Sequence, residues 1–306
     1  MTRVIISRAL QALVTLLGVS VVVFALSQST GNPVDVLLPV EATPEQRMQL
    51  IDELGLDEPL VDQYLTFLGN VIQGDFGRSI RTKLPVLELV VDRLGNSVLL
   101  VSTSLLFMVV FSLPLGVLAA VKRDTIVDRI AMGLAVLGQS LPPFFTGVLA
   151  IILFSVRWQV LPAQGSGTWQ HLLLPAATMG LFTGAGITRL MRSAMLEVLD
   201  SEYAKLARIK GASEMRVVWM HAFRNALIPV VTFVVLMYGV LVAAAVTTEV
   251  VFAWPGLGRL AFEAVLWRDF PVLQAVVIMW AALIVFVNLL VDLSYAVIDP
   301  RIRRNV

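Results

Sequence analysis

The chain alternates between long apolar runs and short charged stretches. Ala9–Ser27, Ser97–Val121, Ile130–Val156, Leu172–Thr188, Ala226–Phe252 and Val272–Val291 are each close to the roughly 20 residues that a bilayer-spanning helix needs. The pattern predicts an all-α membrane protein with six spans. The first run could also serve as a secretory signal peptide. Its apolar stretch exceeds the usual signal core of about 7–15 residues, so a retained span is expected. Pro142-Pro143 interrupts the third run. Paired prolines break helical hydrogen bonding and free carbonyls that a neighbour or a cavity must satisfy. They predict either a kink or part of a translocation path. Ala176, Gly180 and Gly184 recur every four residues in the fourth run, a stripe that lets another helix approach closely.

Two polar stretches stand out between the runs. Thr30 to Gly95 spans 66 residues with 11 acidic and 5 basic side chains. Thr43-Pro44-Glu45-Gln46 reads as a capped helix start that runs to Gly55. Pro59 opens a second helix with Leu60, Tyr64, Leu65, Leu68 and Ile72 assigned to one face. Pro85 to Leu94 mixes apolar and charged positions and is expected to lie on the membrane surface. The other stretch, Glu202 to Pro229, predicts two short helices around Gly211. The first, Tyr203 to Lys210, carries Leu206 and Ile209 on one face, with Lys205 and Arg208 beside them. The second, Ser213 to Arg224, starts on a Ser–Glu pair suited to a helix N-terminus. Gly211 suits the left-handed residue that closes a helix. An ordinary polar loop is the plain alternative.

Composition supports the membrane reading. The chain is 58% hydrophobic, only 15% charged, and has mean hydropathy +0.84. A soluble domain carries about 25% charged residues. With six spans and the N-terminus inside, the inner segments hold 15 of the 23 basic residues, and the short loops agree with that orientation. Both termini are then cytoplasmic, the Gly211 stretch faces the cytoplasm, and the acidic 30–95 segment faces outside. The expected organisation is 1–29 as N-terminus and first span, 30–95 as an extracytoplasmic helical insertion, 96–298 as a five-helix core with an inner loop over 193–225, and 299–306 as a cytoplasmic tail.

The chemistry of enzymes is missing. There is no cysteine, and His171 and His221 are far apart, so no metal site is expected. No GxxxxGK[ST] phosphate loop occurs; Gly77 to Lys83 lacks the second glycine. GxSxG, HExxH and CxxC are also absent, and no catalytic residue is expected. Charges deep in the spans are nearly absent, whereas ion-coupled transporters usually use them. Glu249 and Asp292 sit near span ends, where pairing or hydration competes with a place on the path. A transporter with a structured inner loop and no motor residues points to a motor supplied by another subunit. An ATP-independent secondary transporter or channel is the alternative, and a membrane scaffold is a further one.

The Gly211 stretch resembles the "EAA loop" of permease subunits in binding-protein-dependent ABC importers. Lys205-Leu206-Ala207 stands in place of Glu-Ala-Ala, and Gly211 matches. Ala207-Arg208-Ile209-Lys210-Gly211 and His221-Ala222-Phe223-Arg224-Asn225-Ala226-Leu227-Ile228-Pro229 resemble the dipeptide/oligopeptide/nickel branch more closely. Leu54 to Leu60, Gly74-Asp75-Phe76-Gly77, Phe252 to Leu260, Arg268 to Val272 and Asp299 to Arg303 extend the likeness over most of the chain. Gly31-Asn32-Pro33 departs from the family's Gly-Asp-Pro.

The resemblance implies a type I importer permease fold in a bacterial inner membrane. It implies partners: a second, unlike permease, two ATPase subunits that bind ATP and Mg, and an extracytoplasmic solute-binding protein. No cofactor in this chain and no nucleic acid is implied. Tyr203, Lys205, Leu206, Ala207, Arg208, Ile209, Lys210, Gly211, Ala212, Glu214, His221 and Asn225 become the expected ATPase-coupling loop. Leu206 and Ile209 are the expected apolar anchors, and Lys205, Arg208 and Lys210 the polar rim. Pro142, Pro143 and Glu249 are candidate path residues. Trp254, Pro255, Gly256 and Gly258 form the expected outer turn. Peptides, glutathione and nickel complexes are all transported in similar families.

Overall fold

A computed structural model of the chain describes residues 2–29, 38, 42–53 and 57–298. The readings at Gly31-Asn32-Pro33, Gly55 and 299–306, and at the Asp292 side chain, lie outside the described residues. Among the described residues five helices are long and apolar enough to cross a membrane, and the count is six if one sharply bent pair is a single span. Among the described residues the architecture is all-helical apart from an isolated bridge between Arg78 and Pro85. Residues 1–95 with 256–306 form one compact unit, and 96–255 form another.

In the first unit, α1 (Thr2–Ser29) packs along α12 (Phe270–Ile298), with Gln274 donating to the Ser27 hydroxyl at 2.8 Å. The short α2 (Pro44–Glu53) starts with the predicted capping box. Gln46 N–H donates to Thr43 Oγ1 at 3.3 Å, and Thr43 N–H to Gln46 Oε1 at 3.0 Å. Helix α3 (Leu60–Ile72) lies against α1 through Tyr64 of the predicted face and through Phe67, which is outside it. Tyr64 and Phe67 meet the Phe24 ring at centroid distances of 5.5 and 5.7 Å, and Tyr64 hydrogen-bonds Ser20. Leu60, Leu65 and Ile72 stay exposed. The aromatic pair supplies more contact area than the leucines, which sets the rotation of the helix.

The loop at 77–86 is tied down by Asp269. This buried carboxylate accepts from Ser79 Oγ at 2.5 Å, Ile80 N–H at 3.0 Å and Arg81 N–H at 3.3 Å. Arg81 also stacks over Trp267, 4.4 Å from the ring centroid. Helix α11 (Leu257–Leu266) packs on α12. Gly256 caps α11 in extended geometry, and Gly258 is buried within it, so these two belong to a helix start.

Pro85 to Leu94 is not a separate surface helix. It forms the start of α4 (Val86–Val121), a single helix of 36 residues in which Val86 and Val90 are wholly buried. At 1.5 Å per residue such a helix is about 54 Å long, well beyond the roughly 30 Å apolar core of a bilayer. No Pro or Gly stands between the two stretches to stop it except Gly95, which the helix absorbs.

In the second unit, α7 (Gln170–Leu199) is the central helix, packed by α5 (Ile126–Ser140), α6 (Pro143–Ala150) and α10 (Phe223–Val251). The small-residue stripe has the expected role. A Cβ on Gly180 would sit 2.9 Å from Phe107 and 3.1 Å from the Ser104 carbonyl, so α4 can approach only because that atom is missing.

The Pro142-Pro143 break is sharper than a kink. Helix α5 and the α6 segment, which continues as a π-helical stretch over Ile151–Arg157, meet at 107°. Each proline pushes the residue before it out of the helical region. Leu141 (φ −100, ψ 127) and Pro142 (φ −60, ψ 144) are both extended, and Pro143 starts the new helix. Two successive extended residues redirect the chain, where one proline would only bend it.

Candidate functional site

Helix α8 (Glu202–Ile209) begins and ends with complete caps. Ser201 Oγ accepts from Ala204 N–H at 3.4 Å. At the other end Gly211 has φ +83. Gly211 N–H bonds the Arg208 carbonyl at 2.9 Å and Ala212 N–H bonds the Ala207 carbonyl at 3.1 Å. This is the Schellman pair of 5→2 and 6→1 bonds, and it confirms the left-handed closure read from the sequence. The second helix starts at Ser213 as α9 (Glu214–Arg216), without a side-chain cap bond. It does not stop at Arg224. It passes through a π-helical stretch, Val217–Ala222, directly into α10. Single π-turns inside α-helices recur at functional positions. Asn225 donates its side-chain amide to the His221 carbonyl at 3.0 Å beside this one.

The apolar side chains of this stretch divide into two sets. Ala204, Val217, Val218 and Ala222 are buried against the unit. Leu206 is 53% exposed, Ile209 79% and Met215 70%; Tyr203, Trp219 and Met220 are exposed as well. The expected anchors Leu206 and Ile209 therefore face outward with Tyr203, three apart along α8, as an exposed ridge; Met215, Trp219 and Met220, not singled out from the sequence, are exposed on the helix that follows. Exposed apolar side chains in a row on a short helix outside the spans leave surface that a partner can cover.

The polar side chains mostly serve the loop itself. Arg208, expected on the rim, is about a third exposed and also bonds within the stretch. Its Nε donates to Glu214 at 2.8 Å, and Nη1 to the Leu199 carbonyl at 3.2 Å. It thus joins the end of α7, helix α8 and the start of α9. Tyr203 OH and His221 Nδ1 share a 2.6 Å hydrogen bond, with the rings edge to face at 5.3 Å. Lys205 pairs with Glu202 at 2.8 Å, and this contact holds its ammonium pKa above the ordinary value. Lys205 and Lys210 remain exposed, as a rim requires.

Glu249 is placed differently. It is wholly buried on α10 and accepts from Ser97 Oγ at 2.6 Å. Next to it, Trp254 N–H bonds the Glu249 carbonyl at 2.8 Å, and Trp254 Nε1 donates to the Asn96 carbonyl at 3.0 Å. Asn96 Nδ2 in turn donates to the Pro255 carbonyl at 2.9 Å. Glu249, Trp254 and Pro255 thus form one hydrogen-bonded corner with Asn96 and Ser97. Pro142 and Pro143 lead into α6, whose Gly147 faces Val251 and Phe252 of the same corner; a Cβ there would lie 3.0 Å from the Phe252 ring. Sequence reasoning missed Asn96 and Ser97, since single polar residues at a span start look like ordinary boundary residues.

The family described as "Binding-protein-dependent transport system inner membrane component" matches residues 112–304, and its N-terminal companion matches residues 1–102. The dipeptide transport system permease protein DppB of Escherichia coli strain K12 is 39% identical over 338 aligned positions, covering 100% of both chains. The glutathione transport system permease protein GsiC of the same strain is 40% identical over 304 positions, covering 99% of each. The solved inward-facing MetNI methionine ABC transporter matches with TM-score 0.60 over 70% of this chain and 97% of that one, at 20% identity, a likeness of fold. The chain belongs to the family of binding-protein-dependent transport system inner membrane components and is a multi-pass permease subunit of an ABC importer.

Proposed function

We propose that this subunit pairs with a second, unlike permease to line a path for short peptides or related small solutes such as glutathione. A solute-binding protein delivers the solute on the outer side. Two ATPase subunits, binding ATP and Mg, dock on the 201–225 stretch inside, and both termini lie in the cytoplasm. The exposed ridge of Tyr203, Leu206 and Ile209 on a helix closed at both ends carries this reading. Leu206 and Ile209 enter a groove of the ATPase, with Lys205 and Lys210 at its edge. Arg208, Glu214, Tyr203 and His221 hold the two short helices at a set angle. When ATP closes the ATPase pair, the stretch moves as a unit and tips the spans between inward- and outward-open states. Pro142 and Pro143 are proposed for the path, and the 30–95 segment for contact with the binding protein. The dipeptide and glutathione relatives support the substrate class, and specificity resides largely in the binding protein.

Uptake of labelled dipeptide and glutathione into proteoliposomes holding the assembled complex tests this. Uptake should require both internal ATP and external binding protein. Uptake that persists without ATP would make the chain a secondary transporter or channel. For orientation, a reporter fused at Glu53 should read outside and one at Lys210 inside; the reverse pair of signals overturns the topology.

A further inference from the structure

Two arginines of α7 reach onto α5. Arg192 donates from Nε and Nη2 to the two carboxylate oxygens of Asp128, both at 2.7 Å. Near the other end of α5, Arg189 donates to the Gln139 side chain. Beside the second clamp the helices nearly touch, since a Cβ on Gly138 would lie 3.1 Å from the Leu181 carbonyl. Asp128 is 4% exposed and also accepts the Asp124 N–H at 3.0 Å, which fixes the turn before α5. Arg123 in that turn lies 3.6 Å from Asp200, the residue that ends α7. Arg208 of α8 holds the Leu199 carbonyl one residue earlier. Directional polar contacts therefore run without a gap from α8 through the end of α7 to α5, and α5 leads straight into the Pro142-Pro143 break.

A buried ion pair adds little net stability compared with apolar residues of the same shape, but a forked arginine–carboxylate pair fixes relative position and angle. The registry it imposes is thus of more use than its stability. We propose that Asp128 and Arg192 are positioning residues that lock α5 to α7. Movement of α8 then reaches the break at Ser140–Pro143 as a rigid displacement and is not lost in slippage between helices. This rests on the proposed docking of ATPases at 201–225. Neither residue lies on the exposed apolar ridge, so neither is needed for docking.

The test uses the complete complex in proteoliposomes. Asp128→Asn should leave assembly and basal ATP hydrolysis unchanged and lower the solute taken up per ATP on the order of tenfold. Asp128→Glu should recover part of it. Wild-type uptake per ATP in Asp128→Asn overturns the proposal. A second measurement does not depend on that variant folding. The chain has no cysteine, so spin labels attached to the separately labelled subunit at introduced Leu134→Cys and Leu181→Cys, both exposed positions on α5 and α7, before it is assembled with its unlabelled partners, report their separation alone. Their distance should stay the same with and without trapped ATP, and a shift of several ångströms overturns the lock. If uptake by the unsubstituted complex ignores ATP, the functional reading fails instead, which this pair of measurements keeps distinct.

Discussion

The 201–225 stretch and the 249–255 corner are both short departures from regular helix at the ends of apolar spans, and they bury opposite things. In the corner, Phe252 and Trp254 are 2% exposed and the Glu249 carboxylate is fully enclosed. Its polar groups are satisfied by the Asn96–Ser97 backbone and side chains. In the 201–225 stretch the large apolar side chains point outward, while the arginine, glutamate, tyrosine and histidine bond one another. A boundary built only to turn the chain gains by burying its aromatics. A boundary that keeps them exposed on a frame of internal hydrogen bonds leaves apolar surface uncovered, and a partner recovers that free energy by covering it.

The widest gap between the two regions should appear in stability. Trp254→Ala removes a buried ring and its bond to Asn96, which should cost about 3–5 kcal/mol and lower the melting temperature of the purified subunit sharply. An unchanged melting curve would mean that the corner is not a fixed element.

Leu206→Asp should do the reverse. The exposed site tolerates the charge in the free subunit, so melting should be unchanged. Docking should weaken by about 2–4 kcal/mol, the range of an anchor residue in an interface. Binding of detergent-solubilised permease to its ATPase checks this, and wild-type affinity would reduce the ridge to a loop.

Gly211→Val probes the frame beneath the ridge. A side chain there meets no neighbour within 4 Å, so only the φ of +83 resists it. The strain of about 1–2 kcal/mol should alter the angle of the two short helices more than it harms insertion. Normal membrane levels with reduced solute-stimulated ATP hydrolysis are expected, and full coupling would show that the angle is unimportant. The smallest effect belongs to Lys205→Ala. Its ion pair with Glu202 is solvent-exposed, with side chains 55% and 84% accessible. Stability should not change measurably, and a marked loss of docking in this variant would move the site's centre from the ridge to its rim.

Local rules were enough wherever chemistry acts between near neighbours. Long charge-free runs announced the spans, because backbone groups in lipid must bond within the segment. The Thr43–Gln46 box and the Gly211 closure were readable, since caps depend on residues within one turn. The glycine stripe at 180 and 184 was equally plain, because its spacing is that of the helix itself. Other features depended on residues far apart in sequence, and only packing decided them. Pro85–Leu94 joined α4 because burial of Val86 and Val90 outweighed its mixed pattern. Helix α3 turns Phe67 inward beside the predicted Tyr64 because Phe24 is on α1, which its own periodicity could not reveal. Arg208 bonds Glu214 and the Leu199 carbonyl because Gly211 reverses the chain and brings them within reach. Asp128 and Arg192 are 64 positions apart and carry no local signal; two antiparallel helices bring them to 2.7 Å. Helix ends and spans follow from contacts a few residues apart, whereas the partner of a long polar side chain depends on which helices lie side by side.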